Sequence, residues 1–165
     1  MIFEELIKEN RPEFIDKVKS IANELKVKPE HLVFVMWFET AHTLNHRIQN
    51  KKSKATGLIQ FMPRTAYELG TSIEELRAMS NLEQLDYVRK YLIRFKGKLV
   101  DFVDLYCAVF YPAAVGKADC YRITPDKVAQ QNPVFDKNKD LDITKAEIRE
   151  VLLKQIPQNY RQYFQ

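Results

Sequence analysis

The sequence predicts a mainly α-helical protein, folded as a single domain over residues 1–165. Apolar residues recur at spacings of three and four along much of the chain, which is the period of a helix. Proline or a hydroxyl-bearing cap residue stands where most of these segments begin. The chain has only four glycines, and the apolar–polar alternation typical of strands is scarce. A hydrophobic fraction of 45% and a charged fraction of 29% are ordinary for one globular domain of this length.

Two helices are predicted in the first 44 residues. The first begins at Pro12 and continues to Leu25 with apolar side chains at helical spacing. The second begins at Pro29 and extends to about Leu44. Its centre, residues 32–38, contains seven consecutive apolar residues. A helix that is apolar on all sides is a buried helix.

The middle of the chain alternates loops with short helices. Residues 45–56 are polar and basic and form the first predicted loop. A short apolar stretch, residues 57–62, precedes a helix that starts at Pro63 and stops at Gly70. The other predicted boundaries are a capping box of Thr71 with Glu74, a helix start at Ser80 or Asn81, a helix end near Phe95 and a break at residues 96–98.

The last third of the chain is also predicted to be mostly helical. The predicted segments are residues 100–111 ending at Pro112, one or two turns at residues 125–131, a helix over residues 144–155 and a short helix from Pro157. Two cysteines, Cys107 and Cys120, are too few for a disulfide framework. Cys107 lies in an apolar run, where a buried and inert thiol is expected.

A formal charge of +4 and a pI near 9.0 give the protein a weak positive field. Such a field favours a polyanionic partner, either a bacterial cell wall or nucleic acid. No basic stripe with interleaved aromatic residues marks a nucleic-acid groove, so no nucleic-acid partner is expected. We recognise no signal peptide and no membrane-spanning run. The protein is therefore expected to act in the cytoplasm, or to leave the cell without a standard secretion signal.

Glu39 directly follows the apolar run of the second helix. Burying an ionised carboxylate is costly, so this glutamate is expected to be paired, exposed or protonated. One interpretation is that Glu39 marks the solvent side of the helix. The other is that it lies in the wall of a cleft, where burial raises the pKa of a carboxyl group, as a general acid requires.

A longer pattern favours the second interpretation. Residues 38–66 read FETAHTLNHRIQNKKSKATGLIQFMPRTA. The Glu39–Thr40 pair, the loop and the GLIQFMP segment (residues 57–63) together resemble the lytic transglycosylase and goose-type lysozyme superfamily. In that family a Glu-Ser or Glu-Thr pair ends a buried helix, and a Gly-Leu-Met-Gln-Ile-Met-Pro-like segment follows. The resemblance implies a lysozyme-like fold.

The resemblance also implies a reaction. The family cleaves the glycan strands of peptidoglycan, with one glutamate that protonates the leaving-group oxygen. Glu39 would be that acid, and it would then take the proton of the C6 hydroxyl of N-acetylmuramic acid to give a 1,6-anhydro product. No other acidic residue occurs from Thr40 to Tyr67, which fits a mechanism with one carboxylate. No cofactor is expected for catalysis.

The resemblance implies further residues that bind substrate. They are Thr40, Ser53, Gly57, Gln60, Met62 and Tyr111. Gly57 would let the backbone approach a sugar, and Met62 would pack beneath a ring. Tyr111 takes the place of a family tyrosine that hydrogen-bonds the glutamate, although Pro112 stands where the family has asparagine, and Tyr106 is a rival. For Ser53 and Asn50, ordinary loop chemistry is an equal alternative.

Residues 136–147 have the spacing of an EF-hand calcium loop. The candidate ligands are Asp136, Asn138, Asp140, Asp142 and Glu147. Leu141 stands where glycine usually makes a left-handed turn, at a cost of ~1 kcal/mol. Some members of the resembled family carry such a loop, and a bound calcium would be structural. The alternative is an acidic surface turn that caps a helix.

Other functions remain open at this stage. Glu39, His42 and His46 are at helical spacing, which allows a zinc peptidase, but the His-Glu-x-x-His order is absent. A hydrolytic lysozyme, or an inactive wall-binding component of a phage tail or secretion machine, would share the fold. A cell-wall substrate without a signal peptide suggests a phage virion component, an endolysin or a delivered effector. We expect a monomer.

Overall fold

Helices dominate the computed structural model, which describes residues 1–123 and 127–165. Helix accounts for 56% of the described residues and strand for 4%, so the prediction of a mainly α protein is confirmed. Contacts along the backbone divide the chain into two compact units, residues 1–97 and 98–165. The lysozyme-like fold and the single domain over residues 1–165 stay predictions.

The first unit contains five α-helices among its described residues. They are α1 (Arg11–Leu25), α2 (Pro29–Glu39), α3 (Pro63–Glu68), α4 (Ile73–Ala78) and α5 (Asn81–Leu92). Short 3₁₀ turns lie at Glu4–Leu6 and Ile93–Phe95. Helix α1 packs against α2 and α5. This packing buries one face of α1 and nearly the whole of α2, as the apolar run of the second helix predicts.

Helix α2 ends at Glu39, five residues before the predicted end, so the prediction of a helix to Leu44 is wrong. Ala41 and His42 adopt positive φ angles of 49° and 68°, which no α-helix can contain. The hydroxyl of Thr40 donates a hydrogen bond to the carbonyl of Met36 at 2.7 Å. It also accepts one from the amide of Leu44 at 2.9 Å. Thr40 therefore closes the helix and starts a tight turn.

Capping boxes start two helices of this unit. At α4 the cap is Ser72 with Glu75, each side chain bonding the other residue's backbone, so the predicted pair of Thr71 with Glu74 is wrong by one residue. The Thr71 hydroxyl instead donates to the Glu75 carboxylate at 2.9 Å. Ser80 forms the corresponding box with Glu83 at α5. This result resolves the predicted choice of Ser80 or Asn81 in favour of Ser80.

The described residues of the second unit form three α-helices and two short strands. Its elements are α6 (Phe102–Phe110), a 3₁₀ turn (Pro112–Ala114), β1 (Arg122–Ile123), α7 (Lys127–Gln131), β2 (Ile143–Thr144), α8 (Lys145–Gln155) and a 3₁₀ segment (Gln158–Tyr163). The two short strands pair antiparallel, with Arg122 opposite Thr144. Pro125 and Asp126, the start of the predicted turns at 125–131, lie outside the described residues. Among the described residues, no helix is both long and apolar enough to cross a membrane.

A buried ion pair joins α6 and α8. The ammonium of Lys145 lies 2.6 Å from the carboxylate of Asp104, and both side chains are 3% exposed. Lys145 also donates to the carbonyl of Lys117 at 2.7 Å. The Asp104 carboxylate accepts the amides of Gly116 and Val100. The charges are therefore paired and hydrogen-bonded, as burial of charge requires.

Cys107 is fully buried on α6. Burial raises the pKa of its thiol to about 12, so the thiol is protonated at neutral pH and unreactive. The expected burial of this thiol is confirmed.

Removal of one partner of the buried pair should be strongly destabilising, because it leaves the other charge unpaired in the protein interior. We expect Lys145→Met to lower the free energy of unfolding by about 3–5 kcal/mol, measured by urea denaturation. Lys154→Met is the matched control, since Lys154 pairs with Glu150 at the surface and should change stability by about 0–1 kcal/mol. Equal effects of the two substitutions would contradict this assignment.

Candidate active site

Glu39 is the last residue of α2 and is half-buried. Trp37, two residues before Glu39, is buried with 8% exposure. Phe3 stacks on Trp37 with centroids 4.4 Å apart, and His42 stacks on it at 3.9 Å. Aromatic side chains thus fix the end of the helix that carries the carboxylate, and Glu39 keeps part of its surface exposed.

Thr40 is fully buried, and its hydroxyl satisfies the end of α2. These contacts favour a structural role for Thr40 over the predicted contact with substrate. In the structure, the Thr40 hydroxyl ends α2 directly after Glu39.

Left-handed backbone is concentrated between the glutamate and the GLIQFMP segment. The residues with positive φ in this stretch, glycine apart, are Ala41, His42, Leu44, Lys54 and Gln60. Only a few per cent of non-glycine residues adopt such angles. Strained backbone of this kind clusters at functional sites in proteins, where surrounding contacts enforce it. The cluster of left-handed residues therefore makes residues 39–62 the candidate functional segment of the first unit.

The loop at residues 45–56 is held by its own side chains. The Asn50 carboxamide oxygen accepts the amides of Lys52 and Ser53 at 2.9 and 3.0 Å. The Ser53 hydroxyl accepts the amide of Ala55 at 3.2 Å. Both side chains therefore shape the loop, which was the alternative to substrate binding for these two residues. Asn50 is exposed and Ser53 is half-buried.

The GLIQFMP segment begins with a tight turn. Thr56 and Phe61 exchange both backbone hydrogen bonds, at 3.0 and 2.8 Å. Between them, Gln60 has a φ of 51°, and its carboxamide donates to the carbonyl of Gly57 at 3.1 Å. The half-buried side chain of Gln60 is thus folded against its own turn, and Met62 follows with 47% of its surface exposed.

Gly57 is confined by the protein itself. Its φ is 83°, and a Cβ atom at this position would lie 2.4 Å from Oε1 of Gln84. A side chain is excluded on both counts. The need for glycine therefore comes from close packing inside the first unit, whereas the sequence suggested close approach to a sugar.

Gln84, a buried residue that contacts the GLIQFMP segment, was not predicted from the sequence. This residue lies on α5 and is completely buried. Its carboxamide bonds the amide of Leu58 and the carbonyls of His46 and Leu76. A signal was present, because Gln84 lies on the same helical face as Leu85, Val88 and Leu92 and is thus a polar residue at a core position.

The two candidate tyrosines belong to the second unit. Tyr111 is half-buried and follows the last residue of α6. Tyr106 is 2% exposed and stacks with Phe110 at 5.6 Å. The predicted contact of either hydroxyl with Glu39 stays a prediction.

The spacing of Glu39, His42 and His46 does not form a helical face, because α2 ends at Glu39. His42 is exposed and stacks on Trp37, whereas His46 is buried with 6% exposure. Within residues 1–123 and 127–165, no group of three or more histidine, cysteine, aspartate or glutamate side chains is arranged to hold a metal ion.

The backbone of residues 136–147 has features of a calcium loop. Leu141, at the glycine position, adopts a φ of 66°, so the left-handed turn forms without glycine. The carboxylate of Asp136 accepts the amides of Asp140 and Leu141, at 3.2 and 3.1 Å. Ile143, the apolar eighth residue, is fully buried.

Two of the candidate calcium ligands are engaged elsewhere. The Glu147 carboxylate turns back to the cap of α8, where its Oε2 accepts the amide of Thr144 at 2.9 Å. Asp142 pairs with Arg122 across the two short strands. Asn138 donates to Asp140 at 2.9 Å. Glu147 would therefore have to leave its capping position to bind an ion.

Comparison with known proteins gives no match. No protein-family model matches the chain, and no curated protein or solved structure matches it. The function proposed below therefore depends on the local geometry and on the motif in residues 38–66.

We expect His46 to make the free energy of unfolding depend on pH. Its Nε2 atom is buried without a hydrogen-bond partner among the described residues. Burial lowers the pKa of this imidazole, and Arg47 lowers it further, while Glu9 and a hydrogen bond with the Met79 backbone oppose the change. The neutral form is therefore favoured in the folded state, and the unfolded chain binds more protons as the pH falls.

We expect the free energy of unfolding to decrease as the pH falls below about 6.5, the ordinary pKa of histidine. Urea denaturation between about pH 7.5 and 5 measures this dependence, in a range above the ordinary pKa values of carboxyl groups. The dependence should be weaker in His46→Gln and should persist in His42→Gln, the exposed histidine of the same turn. An unchanged dependence in His46→Gln would contradict the role of His46.

Proposed function

We propose that the protein is a peptidoglycan lytic transglycosylase that cleaves the β-1,4 bond between N-acetylmuramic acid and N-acetylglucosamine, with Glu39 as its acid and base. The observation that carries the proposal is the position of Glu39. It is a half-buried carboxylate at the end of an apolar helix, followed by strained backbone and the turn of GLIQFMP. The motif resemblance and this local geometry support the same residue.

The proposed reaction needs one carboxyl group. Protonated Glu39 gives its proton to the glycosidic oxygen as the bond from C1 of the muramic acid to that oxygen breaks. The C6 hydroxyl of the same sugar then bonds to C1 and releases its proton to the Glu39 carboxylate. One C–O bond is broken, one is formed, and the carboxyl group is restored. No water and no metal ion enters this sequence.

The surroundings of Glu39 suit this role. The stacked rings of Phe3, Trp37 and His42 hold the end of α2, and the buried Thr40 fixes where the helix stops. A catalytic carboxyl group gains from such fixed placement, because orientation lowers the barrier of the step it performs. Met62 and the half-buried Gln60 offer apolar and amide surface in the same unit for a sugar ring.

A peptidoglycan substrate also defines where the protein acts. Its partner would be a glycan strand of the cell wall, which a weakly basic protein is suited to approach. We therefore propose action at the wall as a phage virion component, an endolysin or a delivered effector, by a monomer. Detection of the protein in purified virions would distinguish the first of these routes.

Loss of the Glu39 acid should abolish activity. We expect the wild type to release 1,6-anhydro-muropeptides from purified peptidoglycan, and Glu39→Gln to lower the rate about 10²- to 10⁴-fold, the usual contribution of a general acid or base. Mass spectrometry of the released fragments measures both rate and product.

Glu30→Gln is the matched control, because Glu30 is a half-buried glutamate in the first turn of the same helix. It should retain activity. Reducing-end products would indicate a hydrolytic lysozyme on the same fold. If the wild type releases no fragments from peptidoglycan, the proposed enzymatic activity is wrong and an inactive wall-binding component is favoured.

We also propose that residues 136–147 bind a structural calcium ion. The left-handed Leu141 and the amides that converge on Asp136 support this proposal. The ion would be held by oxygens of Asp136, Asn138 and Asp140, with both oxygens of Glu147 after it leaves the cap of α8. Asp142 would contribute through its backbone carbonyl, since its side chain pairs with Arg122.

Calcium should stabilise the protein. We expect about 2.7 kcal/mol at a free concentration of about 100 times Kd, seen as a rise in melting temperature that a chelator reverses. Glu147→Gln should weaken the effect, whereas Glu150→Gln, on the same helix outside the loop, should preserve it. A melting temperature that does not respond to calcium would contradict the proposal.

A further inference from the structure

Gln84 places its carboxamide at a junction inside the first unit. The side chain is completely buried and makes three hydrogen bonds. Its Oε1 accepts the amide of Leu58 at 2.6 Å. Its Nε2 donates to the carbonyl of His46 at 2.8 Å and to the carbonyl of Leu76 at 2.9 Å.

The partners themselves fix which way the amide group points. An amide N–H needs an acceptor and a carbonyl needs a donor, so oxygen faces Leu58 and nitrogen faces His46 and Leu76. Both N–H groups of the carboxamide are used. Only a side chain with an acceptor on one branch and two donors on the other satisfies all three backbone groups, and glutamine has that arrangement.

The three backbone groups belong to different parts of the unit. Leu58 is the second residue of GLIQFMP. His46 lies just beyond the turn that follows Glu39, and Leu76 belongs to α4. Gln84 therefore ties the sequence that follows the catalytic glutamate to the GLIQFMP segment, and it anchors both on α5 and α4. These hydrogen bonds are buried, so the loss of any one leaves an unsatisfied backbone group in the protein interior.

Close packing makes the same junction rigid. Gly57 lies against the Gln84 carboxamide so tightly that a Cβ atom would come within 2.4 to 2.7 Å of three of its atoms. The amide of Gly57 also bonds the carbonyl of Ile48 at 2.9 Å. The turn of GLIQFMP is therefore held on one side by Gln84 of α5 and on the other by Ile48 of the loop. The close contact with Gln84 leaves no room for the turn to move toward α5.

We propose that Gln84 is a positioning residue of the reaction, which holds GLIQFMP in register with the segment that leaves Glu39. The inference rests on the function proposed above. Gln84 has no exposed surface, so it acts through Leu58 and His46 and not by touching the substrate. Its loss would leave the carboxylate in place and displace the surface against which a sugar is held.

The test compares two buried amides of α5. Gln84→Met keeps the volume and removes every hydrogen bond. Asn81→Leu is the matched control, because Asn81 is 4% exposed and bonds the Glu9 carbonyl and the Asn10 side chain, neither of which belongs to the candidate site. Both variants should lower the melting temperature. Kinetics on soluble peptidoglycan fragments are measured well below the lower of the two melting temperatures.

We expect Gln84→Met to lower kcat by about 100-fold, the scale of a 1 Å misplacement in an active site, and Asn81→Leu to leave kcat nearly unchanged. Gln84→Glu, which keeps the acceptor for Leu58 and has at most one donor for the two carbonyls, should have an intermediate kcat. It replaces Gln84→Met in the comparison if that variant does not fold. The pH dependence of kcat should be the same in all active variants, because Glu39 is not moved.

The outcomes separate the two proposals. If the wild type is active, Glu39→Gln is inactive and the Gln84 variants match Asn81→Leu in kcat, the positioning role is overturned and the proposed function stands. If the wild type does not cleave peptidoglycan, both fall. A kcat loss confined to the Gln84 variants supports the positioning role.

Discussion

The carboxamide of Gln84 connects three backbone segments that no regular element joins. Residues 40–62 of the first unit contain no helix, so their backbone groups need partners from elsewhere. Gln84 provides such partners from a rigid helix, and Gly57 allows the approach. The left-handed angles at Ala41, His42 and Gln60 persist because contacts of this kind hold the chain on both sides of them. The proposed roles of Glu39 and of the GLIQFMP segment depend on this backbone conformation of residues 40–62.

Helix α2 provides the other fixed point. Its apolar surface is buried on all sides, which places the helix in the interior of the first unit. The helix ends at Glu39, and the buried hydroxyl of Thr40 satisfies its last turn. Glu39 is therefore the last residue of a helix that is buried along most of its length, and its own side chain is only half-buried. A carboxyl group that is fixed and reachable is what general acid catalysis requires.

Local sequence rules succeeded where the signal is short-range. The helix starts at prolines, the cap at Ser80 and the buried run of α2 all follow from residues within one turn of each other. The end of α2 was missed because apolar and polar residues after Glu39 still fitted a helical pattern, and the hydrogen bonds of Thr40 decided otherwise. The capping box at Ser72 differs from the predicted one by a single position, since both Thr71 and Ser72 have a suitable acid three residues later.

The sequence by itself determined the helical class, the buried helix and the motif that singles out Glu39, because periodicity and spacing are properties of the chain. It also placed a left-handed turn at Leu141, since the EF-hand spacing specifies that angle. Only the tertiary structure revealed Gln84, the confinement of Gly57 and the burial of Thr40. The contacts of Gln84 with Leu58 and His46 join segments 26 and 38 residues apart in the sequence, and no local pattern encodes which buried amide will face which backbone group.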